Sequence, residues 1–434
     1  MEIGQTSRLT VVVLLLLLAA GSELFARNLT SDNSTGQTDT LANKKPTVKF
    51  YGLVRLYLMA DTRGGNFFPP GVLVDDFGND LNDVPNSTMM SGLTTLGLNI
   101  SGPKLGRMIP EGRIECDFLG NTSADVVMRI RHAYMNLRWL GSPSSLLIGQ
   151  TWHPFFDDVY PNIMYINDAG AFHPINRSPM LRYRYTRNGW TATAAAVYQN
   201  NTFSSYGPDG RNRNYLARAI VPELYAGVSW QNKRLFLGAG VSWISIRPRT
   251  SASVTVLNAN GFEETLTRKV NERVSAVTIM AQARWKLSDK FTLQAKSFLG
   301  SNTGNFSILG GYGVSSEDIP TGVRHYTAPR FSSTWIQGLY SHGRWVAGLF
   351  AGYSKNLGTS RARINEDYYG NGENVKQLTG AMLTVSYTMG PFMVGAEYLY
   401  CNARYGNPRL EDGRFNSTSP VSNNRILLRT AYSF

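Results

Sequence analysis

The chain has 434 residues and carries 43 Lys and Arg against 30 Asp and Glu, a formal net charge of +13. The basic residues are dispersed without a long Lys/Arg run, which argues against a nucleic-acid groove as their purpose. Charged residues make up only 17% while Gly (42), Tyr (22), Phe (20) and Trp (8) are abundant, and extended Ala/Leu/Glu/Lys stretches at helical spacing are missing.

Arg8 precedes the apolar run "LTVVVLLLLLAA" (Leu9 to Ala20), and small residues follow. A positive start, a short apolar core and a small-residue region predict a secretory signal peptide over 1–21. Cleavage after Gly21 puts Ala19 and Gly21 at the small-residue positions; cleavage after Ala26 is the alternative, with Leu24 at the first of them. The run is well short of the ~20 residues of a membrane anchor. No cysteine lies near either site, which excludes lipoprotein processing. Cys116 and Cys401 are too few for a disulfide framework. A single bridge stays open, and two unpaired, half-buried thiols are the preferred reading. Residues 22–46 form a polar, unpatterned tail expected to lack regular structure on the periplasmic side.

From Val48 onward, short segments of alternating apolar and polar residues recur, rich in aromatic and β-branched side chains. Sixteen segments begin near Thr47, Gly92, Gly112, Val127, Ser145, Met180, Trp190, Glu223, Arg234, Glu272, Lys290, Phe331, Arg344, Val375, Pro391 and Asn423. Every second connection is short, as in "GSPSS", "TRNG", "QNKR", "LSDK", "SHG" and "TMG". The others are mostly long and polar. This parity predicts an all-β fold: a transmembrane antiparallel β-barrel of about sixteen strands over 47–434, with short periplasmic turns and long external loops. Propellers and sandwiches do not require such alternation. The chain finishes in "NNRILLRTAYSF", in which Ile426, Leu428, Tyr432 and Phe434 share the lipid-facing side. Tyr432 and Phe434 resemble the assembly signal of outer-membrane barrels, which makes the barrel-assembly machinery and outer-membrane lipid expected partners.

Alternation also assigns an inner face. It places Arg55, Arg113, Arg129, Arg131, Arg182, Arg184, Arg284, Lys286, Lys296, Arg425 and Arg429 inside, with Glu115 and Asp117. The pattern blurs after His132. Arginine binds carboxylates bidentately and keeps its charge, so such a wall lowers the barrier to anionic solutes. The bland alternative is that the arginines pair with Glu115, Asp117 and loop acids merely to solubilise the lumen.

"TWHPFFDDVYPNIMYINDAGAFHPINRSP" (Thr151 to Pro179) follows the fifth strand and is therefore the third external loop. A loop of this length in a compact fold implies a function. Its aromatic, Ile and Met residues suit packing against the wall, its prolines stiffen it, and Asp157, Asp158 and Asp168 are expected to face arginines across the gap. Trp152 and His153 belong to the same constriction. Zinc ligation by His153 with Asp157 or His173 lacks a four-ligand framework, and no nucleophile motif such as G-x-S-x-G accompanies the five histidines. No cofactor, metal or catalytic residue is expected. The first external loop lacks the order of an EF-hand calcium site.

In this order, "KFYGLVRLYL", "TTLGLNISGPKLG", "GRIECDFLG", "RIRHAYMNL" and "LLIGQTWHPF" resemble outer-membrane porins of the DcaP-like type and their Bacteroidetes relatives, most clearly over Lys49 to Tyr185. The resemblance implies a sixteen-stranded homotrimeric channel for small, negatively charged solutes such as dicarboxylates. It also implies that Arg129, Arg131, Arg182 and Arg184 contact the solute's carboxylates. Some members carry an N-terminal coiled coil, and this tail has no heptads. The leading expectation is therefore a passive porin without enzymatic activity. An outer-membrane barrel hydrolase and a surface adhesion or scaffold barrel are the alternatives.

Overall fold

In a computed structural model of the chain, residues 45–119, 127–164 and 169–434 are described. The expected signal peptide, nearly all of the expected tail, and Asp168 lie outside these residues. The wall strands are β1 (Thr47–Asp61), β2 in two arms (Asn86–Met90 and Thr95–Ser101), β3 (Met108–Asp117), β4 (Arg129–Trp139), β5 (Ser144–Trp152), β6 (Arg177–Arg187), β7 (Trp190–Val197) and β8 (Glu223–Gln231). They continue with β9 (Leu235–Ile246), β10 (Val274–Lys286), β11 (Phe291–Ser301), β12 (Arg330–His342), β13 (Trp345–Asn356), β14 (Val375–Met389), β15 (Phe392–Tyr405) and β16 (Ser419–Ser433). The seventeen segments of this sheet make sixteen strands, because both arms of β2 pair with β1. Each strand is antiparallel to its neighbour, and β16 pairs with β1 from Leu53↔Ser433 to Asp61↔Arg425. The sheet is closed. Closure satisfies every ladder hydrogen bond within the wall, the condition for strands to cross hydrocarbon.

The expected strand count and the alternation of short turns with long loops are both present. Between β6 and β7, Asn188 and Gly189 hold φ of 53° and 81°, the two positive values of a type I′ hairpin turn. Long connections at the other end carry their own small hairpins, such as Ser251–Leu257 with Glu263–Lys269. Outward side chains form an apolar belt, with Val54, Leu56, Leu181, Val277, Ile336, Leu349 and Ile426 exposed. Near the short turns the belt becomes aromatic, as in the Phe291–Tyr340 and Trp345–Tyr387 ring pairs at 4.8 and 4.7 Å. Phe434 lies across Gly52, where a Cβ would stand 2.2 Å from the ring, so only glycine seats it.

Two irregularities change the inner face. Strand β2 is interrupted at Ser91–Thr94, the stretch where sequence places the start of a strand, and Leu93 turns into the lumen and is buried there. In β4 a bulge sets Glu115 opposite His132 and Cys116 opposite Ile130, leaving Arg131 as the extra residue. A bulge spends one residue without advancing the pairing, so Arg131 and His132 both face inward and the alternation shifts beyond them. That is the physical origin of the blurred pattern after His132. Cys116 and Cys401 are both free.

Candidate functional site

The described residues of the loop between β5 and β6, 153–164 and 169–176, fold into the barrel and divide its interior into two unlike regions. His153 opens it as the N-cap of a one-turn helix, α1 (Pro154–Asp157), its Nδ1 accepting from the Phe155 N–H at 3.1 Å. That bond leaves Nε2 as the protonated nitrogen, 3.1 Å from Glu223 Oε1. Glu223 accepts from Ser242 Oγ and, at 3.2 Å, from Asn305 Nδ2. His153 is 0% exposed and packs edge-on against Phe155, Tyr225 and Phe306. It is a structural hinge of the loop. Trp152, expected in the loop, is the last residue of β5, opposite Arg177, whose guanidinium stacks 4.6 Å over the indole. Trp152 in turn stacks on Phe156 at 3.8 Å.

Beyond α1 the loop is fastened to the wall formed by β10 to β15. Gln337 clasps Asn162, accepting from its N–H at 2.8 Å and donating to its carbonyl at 2.9 Å. Glu397 accepts from Met164 N at 2.8 Å, Gln294 donates to Tyr160 O at 2.9 Å, and Ser354 donates to Ala171 O at 3.1 Å. Between these polar tethers, Val159, Ile163, Met164 and Phe172 pack against Trp335, Phe350, Met382 and Leu399 in one buried cluster. Burying a side chain of this size contributes roughly 1.5–3 kcal/mol, and the tethers satisfy the backbone groups that burial would strand.

Three residues expected to line the channel serve instead to hold loops. Lys296 has inward parity but does not face the channel: it is 1% exposed beneath the loop, donating Nζ to the carbonyls of Phe155 and Phe156. Arg284 likewise reaches the loop, donating to Asp158 O at 3.1 Å, with its guanidinium over Phe236. Arg425 is locked bidentately to Asp61 at 2.8 and 3.0 Å and lies over Phe67, so it secures the first loop against the wall.

The other region is basic. On β6, Arg182 and Arg184 both donate to Asp157 Oδ2, at 2.6 and 3.0 Å, and Arg184 lies 3.6 Å from Asp158. The acids touch the arginines directly; they do not stand across an open gap from them. Burial disfavours the charge of Asp157, but Arg182, Arg184 and Lys296 outweigh it and hold the carboxyl below its ordinary range. Burial pushes Asp158 the other way. Burial, with Lys296 close by, also drives His173 well below its ordinary 6.5. Its ring is 0% exposed between Phe156 and Trp335.

Further round the wall, Arg129 binds Asp117 bidentately at 2.7 and 3.0 Å. Arg131 bridges Glu115 at 2.7 Å and Asp117 at 2.8 Å. Arg113 donates to Glu115 at 2.6 Å and to Tyr51 Oη at 2.8 Å. Arg55 and Arg429 flank Tyr57, with Arg429 5.7 Å from its ring, and neither meets a carboxylate among the described residues. Below the loop, Arg113, Arg182, Arg184, Tyr134, Asn136 and Glu111 help to line a recess of about 330 Å³. Sequence reasoning missed the tethers Gln294, Gln337 and Glu397. Inward parity alone marks them, without saying that a loop lies over them.

No family model and no curated protein matches the chain in sequence. Solved structures do. The outer membrane channel DcaP of Acinetobacter baumannii aligns with a TM-score of 0.65 at 20% identity, over 91% of this chain and 99% of that one. The trimer form of OmpT, an outer membrane protein of Vibrio cholerae, gives 0.54 at 13% identity, over 90% and 100%. An anion-selective porin from Comamonas acidovorans gives 0.54 at 10% identity, over 90% and 100%. At these identities the likeness carries the fold alone: the chain has the closed barrel of a bacterial outer-membrane porin.

Proposed function

We propose that this chain is an outer-membrane porin, a passive diffusion channel for small hydrophilic solutes that favours anions, carboxylate-bearing ones in particular. The observation that carries the reading is the imbalance on the wall of β16, β1, β3 and β4. Seven arginines (Arg55, Arg113, Arg129, Arg131, Arg138, Arg425, Arg429) stand there with four acids, Asp61, Glu111, Glu115 and Asp117, and Arg55 and Arg429 lack an acid partner among the described residues. In a narrow water-filled passage with low-dielectric walls, such an excess raises the local anion concentration. Some arginines do pair with acids, as the solubilising alternative requires. The surplus is what favours anion passage over that alternative.

The rest of the reading follows. The long loops face outward and the short turns face the periplasm, after export directed by residues 1–21. Assembly uses the barrel-assembly machinery, and three copies associate through their barrels. The kinship with Bacteroidetes channels rests on the sequence motifs. Planar-bilayer recording under a potassium chloride gradient tests the function. Stepwise currents with a reversal potential favouring chloride are expected, and Arg55→Ser with Arg429→Ser should reduce that preference. A cation preference would refute the anionic reading, and a folded barrel without conductance would refute the channel.

A further inference from the structure

The outer surface of the barrel is not uniform at its long-loop end. On β12 to β15 four cations crowd the outward face: Arg330 opens β12, Lys355 is next to last on β13, Lys376 is second on β14, and Arg404 is next to last on β15. Lys355 is opposite Gln377, and Gln377 is opposite Arg404. With strands ~4.8 Å apart, the two cations are separated by roughly 10 Å. A register shift between Val375 and Gln377 adds Lys376 to the same edge. Buried Val375 and Leu378 bracket the pair, so both Lys376 and Gln377 turn outward. Arg330 sits one pairing step further up, its carbonyl accepting from Leu357 N at 2.8 Å.

None of the four makes an ion pair among the described residues. Three carboxylates of the adjoining loops are engaged elsewhere: Glu317 with Arg324, Glu373 with Arg363, and Asp412 with Arg409. The neighbouring strands lack this feature: Arg404 is opposite Pro420 on β16, and the outward Ala60 of β1 is opposite Ile426 and Ser87.

Below the cations the surface is built for hydrocarbon. Tyr353 donates to Gln377 Oε1 at 3.4 Å and marks the polar boundary. Ala351 and Ala381 stand opposite each other beneath it. Exposed Leu349 and Leu383 lie further down. Ala351 and Ala381, small between Tyr353 above and the two leucines below, leave a shallow furrow in the belt beneath the cations.

We propose that this sector of the barrel binds an anionic lipid whose headgroup carries phosphate, the phosphate held by Arg330, Lys355, Lys376 and Arg404 and the acyl chains lying along the furrow. The proposal rests on the membrane placement given above. Its logic is charge complementarity at a lipid–water boundary, where each Lys or Arg contributes about 1 kcal/mol toward an anionic surface. A free anion would use the cations but not the furrow, and a neutral lipid the furrow but not the cations.

The test uses folded full-length protein in phosphatidylcholine nanodiscs doped with dioleoyl phosphatidic acid, with retained lipids counted by native mass spectrometry. The wild-type protein is expected to retain phosphatidic acid over phosphatidylcholine. Each of K355S and R404S should weaken retention about five-fold, and the variant R330S/K355S/K376S/R404S should abolish the preference. K355R should keep it, as should R187S at the short-turn edge. Equal retention of both lipids, or undiminished retention by the fourfold variant, overturns the proposal. So does displacement of the lipid by millimolar inorganic phosphate, which would reveal a free-anion site. Conductance of the same preparations in pure phosphatidylcholine bilayers separates the two readings. Currents without lipid preference sink only the lipid site, and lipid preference without currents sinks only the channel.

Discussion

The lumen has two halves that treat charge differently. Toward β10 to β15 the inward residues are Trp335, Phe350, Met382 and Leu399, with the third loop laid over them. Two cations of that side, Lys296 and Arg284, donate to the loop backbone, and Lys296 is fully covered by it. Toward β16, β1, β3, β4 and β6 the arginines stay on the wall, engaged with acids or flanking Tyr57, and three of them line the recess. A basic residue therefore serves anchoring on one side and the passage on the other. What decides between the two roles is whether the loop covers it.

The largest effect should come from erasing the meeting point of the halves. Arg182→Ser with Arg184→Ser leaves Asp157 and Asp158 without their wall partners and converts a neutralised patch to an acidic one. The chloride-to-potassium permeability ratio should fall about tenfold, ~1.4 kcal/mol of barrier. An unchanged ratio in bilayer recording would show that these arginines do not border the passage.

A smaller change should follow from loosening the covered half. Lys296→Met removes the donor to Phe155 and Phe156, bonds of a charged group worth roughly 1.5–3 kcal/mol. Open-channel noise should rise and mean conductance should increase about twofold, with ion preference nearly constant. A quiet channel of unaltered size would count against the anchoring role.

The mildest effect concerns pH. Folded His173 lies below its ordinary 6.5, so its neutral ring supports loop seating fully above that value. The support shrinks as pH falls from 6.5 toward the lowered folded value. Asp157, also lowered, contributes fully above the usual carboxylate range and loses its contribution only as pH falls through its own depressed value. Acidification from about pH 7.5 to about 5 should therefore raise current noise through His173, not Asp157. The same titration in His173→Leu should be flat; an unaltered slope would remove His173 from the device.

Much of the wall is legible in the sequence, because period-two alternation is a local property and every second connection is short. Strand starts such as Trp190, Glu223 and Val375 fall where the pattern puts them. Parity likewise gives Arg55, Arg113 and Arg182 their inward direction. It also gives Arg131 its inward direction but fails at His132, where one extra residue breaks the period. It is silent about what covers an inward side chain. Lys296 and Gln337 share parity with open-lumen residues, and only the loop, far away in sequence, distinguishes them. The acids of that loop show the same limit. Their type signals an encounter with arginine, but contact and separation across a gap look identical in one dimension.

The tethers also impose an order of construction. Asn162 is held by a residue 175 positions later, and Met164 by one 233 positions later. Such contacts carry a heavy loop-closure cost and form late. Until β12 and β15 are in the wall, the third loop has no seat, and an unfinished barrel has an unobstructed bore. The aperture is thus assembled last, by the final third of the chain reaching back to position a segment from its first half.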